Sequence, residues 1–138
     1  MAQPNLMSKV NTNCMGCHLQ KDLRNGHAVQ VGSPGACAGC HTEGHKKILA
    51  DWKKQLKGEV ADAVEFAAEA EDALAAARTN GTDEETLRKA GDMIAAGQEF
   101  VTIVRIGNGV HNKKYAITIL DEAFGNFEDA IDLLEGGG

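Results

Sequence analysis

Two motifs of cysteine and histidine lie close together in the first third of the chain. Residues 14–18 read CMGCH and residues 37–41 read CAGCH, and together they use all four cysteines of the sequence. The C-x-x-C-H pattern is typical of covalent haem attachment. Each thiol forms a thioether with a haem vinyl group, and the histidine that follows gives its imidazole to the iron. The sequence therefore predicts two covalently bound haem c groups. Their attachment residues are Cys14, Cys17, Cys37 and Cys40, and their proximal iron ligands are His18 and His41.

The same cysteines fit two other interpretations. Their C-x2-C-x19-C-x2-C spacing lies within the range of a zinc ribbon, and C-x-x-C pairs also form redox-active disulfides. A zinc ribbon gives no reason for a histidine after both pairs. The intervening residues also lack the aromatic, β-rich pattern expected of a ribbon. We therefore favour haem attachment.

Three further histidines are candidates for the two distal iron positions. His27 follows Asn25-Gly26 in what we expect to be a flexible loop, and His111 is the only histidine after His45. His45 lies four residues after His41 on the same helical side, so it cannot reach the far face of its own haem. We predict His27 and His111 as distal ligands and His45 as the reserve. Which histidine serves which haem stays open, and a capping or surface role for His111 is the alternative.

The fold follows from where core-forming residues occur. Residues 1–45 contain no Phe, Tyr or Trp, so they cannot bury enough apolar surface to offset the entropy lost on ordering. We expect the haems to supply their core, with little regular structure. From residue 46 onwards, apolar residues recur every three or four positions, which is typical of one helical face. The sequence predicts an all-α fold, in which a dihaem segment (1–45) and an antiparallel three-helix bundle (46–138) form one compact unit. The predicted helices span about 46–79, 83–106 and 112–135.

Several residues indicate where these helices end. Asn80-Gly81 provides a left-handed C-terminal cap, Thr82 with Glu85 is a capping-box pattern, and Asn112 can cap the third helix. Because the first predicted helix is longer than the second, the chain should return before the third helix to a level near Trp52 or Leu56.

Charge and hydropathy exclude some classes of partner. The net charge of -6 and the isoelectric point near 5.3 argue against nucleic acid, whose phosphates require a basic surface. No apolar run approaches the roughly 18 residues of a membrane span. The first residues lack the apolar stretch of a signal peptide. Because haem c attachment normally takes place outside the cytoplasm, we expect a periplasmic or extracellular protein whose export signal has been removed.

Two surface features bear on partners. Lysines concentrate in the first half of the first predicted helix, where they could neutralise haem propionates, form an ordinary solvated face, or dock an acidic redox partner. Phe66, Phe100 and Ile117 are expected on the outer side of the bundle and could hold a second copy in a homodimer. Phe100 and Ile117 could equally belong to the core.

On these residues the chain resembles a dihaem member of the multihaem c-type cytochromes. The segment Gly109-Val110-His111-Asn112 before a long helix is similar to the C-terminal part of the multihaem nitrite reductase superfamily. There such a loop histidine is a distal ligand, and the long helices commonly mediate subunit contacts. Those enzymes carry more haems, including a lysine-ligated one in a C-x-x-C-K motif, which this sequence lacks. The resemblance implies shared architecture and electron transfer, not nitrite reduction.

We therefore expect an electron carrier with two adjacent, bis-histidine haems, redox proteins as partners and no enzymatic activity. One alternative is a haem-based sensor or small-ligand binder with an open iron position. Another is an enzyme that reduces a nitrogen or peroxide substrate, which also needs an open iron.

Overall fold

The computed structural model describes residues 17–107, 109 and 112–136, and within them the chain is mostly helical. The elements, in chain order, are β1 (Gln20–Arg24), β2 (His27–Val31), α1 (Pro34–Ala38), α2 (Gly44–Thr79), α3 (Glu84–Gly107) and α4 (Lys113–Gly136). The prediction of an all-α fold is thus confirmed only in part, because the chain is mostly helical but also contains the two strands β1 and β2. None of these described helices combines the length and the apolarity that a transmembrane span needs.

The chain divides into two compact units, Met1–Lys54 and Gln55–Gly138. This division falls inside α2, whereas the sequence analysis placed it between residues 45 and 46. The predicted division, and the packing of both parts as one unit, stay predictions. Two predicted site residues, Cys14 and His111, lie outside the described residues.

A β-hairpin occupies most of the stretch between the two cysteine motifs. Strands β1 and β2 pair antiparallel, from Gln20 opposite Val31 to Arg24 opposite His27. The turn residues Asn25 and Gly26 have φ angles of 51° and 79°, as a two-residue type I′ turn requires, and Asn-Gly is its preferred sequence. The expectation of little regular structure was therefore wrong here. All of β1 is exposed, and its sequence, QKDLR, has a single apolar residue, so this strand has no apolar alternation that would have predicted it.

The core of the second unit is built from small residues at a strict spacing. Along α2, α3 and α4, successive buried positions are three, four or seven residues apart. This is the spacing of a coiled-coil seam. The buried residues are Leu56, Ala63, Ala67, Ala70 and Ala77 on α2; Ala90, Ile94, Gly97, Val101 and Val104 on α3; and Ala116, Leu120, Ala123, Phe127, Ala130 and Leu134 on α4.

Large side chains fill the space that these small residues leave. Phe127 is fully buried, and its ring lies so close to α3 that a Cβ atom on Gly97 would be 2.5 Å from its Cε1 atom. The ring of Phe66 on α2 packs against Phe124 and Phe127 on α4, with centroid distances of 5.9 and 6.0 Å. Glycine at position 97 thus permits the close approach of α3 and α4.

The residues proposed for a homodimer are in fact part of this packing. Phe66, Phe100 and Ile117 are partly buried and pack against the core. The outward position expected for Phe66 was therefore wrong, whereas the alternative of a core position for Phe100 and Ile117 is confirmed. Each helix buries a stripe wider than the seam itself.

The helix ends follow the predicted signals, with one exception. At the end of α2, Gly81 has a φ of 82°, and the N–H of Thr82 donates to the carbonyl of Ala77 at 3.1 Å, as in a Schellman motif. Asn112 caps α4, since its Oδ1 accepts the N–H of Tyr115 at 3.1 Å.

The start of α3 differs from the prediction, because its cap is Asp83 rather than Thr82. Oδ1 of Asp83 accepts the backbone N–H of Thr86 at 2.9 Å. Hydrogen bonds from the backbone and then the side chain of Thr86 hold the pKa of Asp83 below its usual value. Because the pKa of Asp83 is lower in the folded state than in the unfolded state, this cap stabilises the fold fully when the pH is above the unfolded pKa. The stabilisation is lost as the pH falls through the folded pKa of Asp83.

The connection between α3 and α4 lies where the helix lengths predicted it. Gly109 has a φ of 58°, and a Cβ atom there would lie 2.8 Å from both Leu56 Cδ1 and Ala116 Cβ. The chain therefore returns to the level of Leu56 on α2.

Substituting two glycines of α3 should have opposite effects on stability. Gly91→Ala places a Cβ in ordinary contact, 3.9 Å from Leu74 Cδ2, and should stabilise the protein by about 0.5–1 kcal/mol through helix propensity. Gly97→Ala forces Phe127 to move and should destabilise it by about 1–2 kcal/mol. Urea unfolding of both holoprotein variants, followed by circular dichroism, tests this. Similar midpoints would contradict the described α3–α4 packing.

The cap of α4 gives a second stability test. Asn112→Ala removes the acceptor for the Tyr115 N–H and should cost about 1 kcal/mol. Asn112→Asp keeps the acceptor and adds a negative charge to a first turn that has no acidic residue, so it should equal or exceed the parent in stability. Thermal unfolding of both variants measures this order, and an alanine variant as stable as the aspartate one would refute the cap.

Candidate haem site

The histidine of the first motif is held by the β-hairpin. His18 is half-buried, and its Nδ1 atom lies 3.0 Å from the carbonyl oxygen of Gln30 on β2. A carbonyl oxygen only accepts, so the ring donates its Nδ1–H to Gln30. A histidine that ligates a metal through Nε2 usually makes such a bond through its other nitrogen.

Gly32 has no side chain to fill the space beside the Nε2 atom of His18. A Cβ atom at this position would lie 3.7 Å from both Nε2 and Cδ2 of His18. A side chain at this position would therefore begin in van der Waals contact with this edge of the ring. The absence of a side chain at Gly32 therefore suits a bulky group on Nε2.

The second motif lies on one helical turn, as its spacing predicts. Pro34 starts α1, where its fixed φ suits the first helical turn. The N–H groups of Cys40 and His41 both donate to the carbonyl of Cys37, at 3.3 and 2.8 Å. Cys37 is half-buried and Cys40 is exposed, and both are free thiols, as is Cys17. Free thiols are what thioether formation requires.

His45 lies beside the ligand candidate of the second motif. The rings of His41 and His45 are stacked, with centroids 4.2 Å apart and planes 21° from parallel. Thr42 Oγ1 lies 3.4 Å from Nδ1 of His45. A ring stacked on His41 is on the same side as that ligand, in keeping with the expectation that His45 does not reach the far face of its own haem. Its role as reserve ligand stays a prediction.

His27 lies in a different setting from the expected one. It is the first residue of β2, opposite Arg24, so its predicted position in a flexible loop was wrong. Alternation along the strand places it on the same face as Val29 and Val31, which are the half-buried residues of β2. Its distal-ligand role, like that of His111 outside the described residues, stays a prediction.

The surface of the first unit also suits an apolar cofactor. Leu19, Leu23, Ile48 and Trp52 are 64, 73, 42 and 38% exposed, and all lie in the unit that carries both motifs. Haem has two large apolar faces that could cover such side chains. The thiols, the orientation of His18 and this apolar surface together fit haem c.

One argument against a zinc ribbon does not survive. Strands β1 and β2 lie between the two cysteine pairs, so the expected lack of strands was incorrect. The preference for haem now depends on the histidine that follows each pair and on the fit just described. The Gln30 carbonyl and Gly32 were not found by sequence reasoning, since a backbone acceptor has no signature in the sequence.

The fold is similar to that of the catalytic subunit of cytochrome c nitrite reductase from Desulfovibrio desulfuricans, a structure described for its two calcium sites. The TM-score is 0.77 at 21% sequence identity, and the match covers 96% of this chain and 32% of the other. This chain thus spans about a third of that subunit. No protein-family model and no curated protein sequence matches the chain.

This similarity supports a helical fold of the multihaem cytochrome kind. It also corrects the expectation that the protein is not an enzyme, because the matching structure is the catalytic subunit of one. At this level of identity the similarity concerns the fold alone, and it transfers neither substrate nor reaction.

Substitutions of two glycines test whether Gly32 borders a haem bound by His18. Gly32→Val should crowd the Nε2 edge and add a high-spin component to the ferric absorption spectrum, because the ligand bond of one haem is weakened. Gly35→Val is the control, since a Cβ there would meet only Ser33 Oγ at 3.8 Å. Identical spectra for both variants and the parent would show that Gly32 does not border the haem.

Proposed function

We propose that this protein is a periplasmic or extracellular dihaem c-type cytochrome that transfers single electrons between redox partners. The observation that carries the proposal is the pair of C-x-x-C-H motifs, with the first histidine already oriented by the Gln30 carbonyl at 3.0 Å. The similarity in fold to a cytochrome c nitrite reductase subunit supports the same conclusion.

Each site residue has a separate task in this proposal. Haem c, when bound, supplies an iron that changes its charge by one electron. The thiols would hold the porphyrins, and the imidazoles of His18 and His41 would be ligands of the irons. His27 and His111 would be the second ligands, with His45 in reserve. Two nitrogen ligands per iron favour a lower potential than one nitrogen and one thioether.

The short connection between the motifs supports close haems. Only 19 residues separate Cys17 from Cys37, and β1, β2 and α1 fold them within one unit. A hairpin returns the chain towards its starting point, which supports the proposal that the two haems are neighbours. Neighbouring haems can exchange electrons directly.

We also propose that α2, α3 and α4 form an antiparallel three-helix bundle. Short connections favour antiparallel neighbours. Contacts within the second unit support this arrangement. Phe127 on α4 packs on Gly97 of α3, and Phe66 on α2 packs on Phe124 of α4. The side-chain amide of Gln98 on α3 donates a hydrogen bond to Glu71 on α2.

Charge and exposure indicate which surfaces are available to partners. Lys46 and Lys47 form ion pairs with Glu43 and Asp51. Three further lysines lie in the first half of α2, are exposed and could bind an acidic redox protein; they are Lys53, Lys54 and Lys57. A homodimer through the helices would have to use other exposed apolar residues, such as Val64, Ile103 and Ile106.

A second candidate function is binding or reduction of a small molecule at a haem with one open iron position. The enzymatic activity of the matching nitrite reductase subunit favours it. The two functions differ in one measurable property, which is whether both irons have two protein ligands.

Spectra of the matured protein test the proposal. We expect two haems per chain by pyridine haemochrome analysis, and a reduced spectrum that carbon monoxide leaves unchanged, because both irons are saturated. His27→Ala should make one haem sensitive to carbon monoxide, whereas His45→Ala should not.

Two other outcomes would contradict a function that is limited to electron transfer. A shift of one haem with carbon monoxide in the parent protein would favour the second function. Bound zinc without haem would overturn both.

A further inference from the structure

We propose that the turn of the β-hairpin is a site of spontaneous covalent modification, at which the side chain of Asn25 is deamidated to aspartate or isoaspartate. This reaction is independent of the proposed function, since it involves no haem. Asparagine is most reactive in this way when glycine follows it, and the sequence contains three such pairs: Asn25-Gly26, Asn80-Gly81 and Asn108-Gly109. Asn108 lies outside the described residues, whereas the first two pairs are described and exposed.

Deamidation at this turn consumes only water. The backbone nitrogen of Gly26 gives its proton to hydroxide and attacks Cγ of Asn25. A C–N bond forms, the bond from Cγ to Nδ2 breaks, and Nδ2 takes a proton from water and leaves as ammonia. Water then opens the five-membered imide, either at the side-chain carbonyl to give aspartate or at the main-chain carbonyl to give isoaspartate. The reaction therefore needs a free glycine N–H and rotation about the asparagine Cα–C bond.

The hairpin turn leaves the attacking nitrogen free. Arg24 pairs with His27, so the ladder of strand hydrogen bonds does not include Gly26. Within the part of the chain that the structure describes, the N–H of Gly26 donates no hydrogen bond. Both turn residues are exposed, and even a Cβ atom on Gly26 would have no neighbour within 4 Å. Hydroxide and water therefore reach this amide from the solvent.

The second Asn-Gly pair is held by hydrogen bonds of the helix end. The N–H of Gly81 donates to the carbonyl of Arg78 at 3.4 Å, and the N–H of Thr82 donates to the carbonyl of Ala77 at 3.1 Å. Attack by the nitrogen of Gly81 on the side chain of Asn80 requires these bonds to break.

The two sites also differ in the free energy of local opening. Imide closure requires rotation about the asparagine Cα–C bond, so the turn or the helix end must open transiently. A two-stranded sheet without further strands is marginally stable, and no residue of β1 or β2 is buried. Opening the end of α2 instead disturbs Ala77, which belongs to the core. The hairpin should therefore open at lower free energy.

The two products change the turn in different ways. Aspartate adds a negative charge at the tip of the hairpin and leaves the main chain unaltered. In isoaspartate the main chain runs through Cβ and Cγ, so it is longer by one atom. A two-residue turn of that length no longer fits the type I′ geometry that places Arg24 opposite His27.

Ageing of the matured, full-length protein at mildly alkaline pH tests the inference. Peptides are prepared at acidic pH, where the reaction stops, and electron-transfer fragmentation in a mass spectrometer separates aspartate from isoaspartate. We expect Asn25 to react at least about tenfold faster than Asn80, since ~1.4 kcal/mol less opening free energy gives that ratio. In concentrated guanidinium chloride the two rates should become similar, because both sites are then Asn-Gly in an unfolded chain.

Two results would overturn the inference. Similar rates at the two sites in the native protein would show that the hairpin protects its turn as well as the helix end does. A large ratio that persists in guanidinium chloride would assign the difference to the neighbouring sequence rather than to the fold.

A matched pair of variants tests the site in the intact protein. Asn25→Gly keeps a sequence that suits a type I′ turn and removes the reactive side chain, so fewer acidic species should form on ageing, as measured by ion-exchange chromatography. Asn80→Gly should age like the parent. Equal ageing of Asn25→Gly and the parent would contradict the proposal, whatever the haem content of either protein.

Discussion

Backbone hydrogen bonding, rather than apolar burial, orders the part of the chain that carries the haem motifs. Between Cys17 and Lys54 no residue is buried, so the part of this unit that the structure describes has no side-chain core in the ordinary sense. What it has is a hairpin ladder, a one-turn helix at the second motif and the bond from His18 to the Gln30 carbonyl. Such bonds fix directions well but contribute only about 1 kcal/mol each to stability. The unit can thus orient ligands before a cofactor supplies the missing apolar surface.

The second unit is stabilised in the opposite way. Alanine and glycine on the seams of α3 and α4 let the two helices approach closely, and Phe127 fills the space that Gly97 leaves. A seam of this kind tolerates little change in volume, since close-packed interiors have few voids. It also fixes the level at which the chain re-enters α4. Gly109, with its positive φ, fits between Leu56 and Ala116, and His111 follows two residues later in the sequence.

These two kinds of order explain what could be predicted from the sequence. The observed bounds of α2, α3 and α4 differ from the predicted ones by at most two residues, because the apolar spacing and the capping residues Gly81 and Asn112 can be recognised in the sequence. The hairpin was missed because β1 is exposed and shows no alternation, although Asn25-Gly26 and the alternation of Val29 and Val31 on β2 both indicated it. Asp83 replaced Thr82 as a cap because the two residues are adjacent and both can accept a hydrogen bond. The Gln30 carbonyl could not be found at all, because every residue has one.

The number of histidines bears on the choice between the two proposed functions. The chain has five, of which two follow cysteine pairs and a third, His45, is stacked on His41. Two histidines then remain for two distal positions, one on the half-buried face of β2 and one after Gly109. If both bind iron, both irons are saturated and pass electrons without binding a substrate. If either does not, one iron has an open position of the kind that a reductase or a sensor needs. In the proposed function, the coordination of His27 and His111 is therefore the property that separates an electron carrier from a protein that binds or reduces a small molecule.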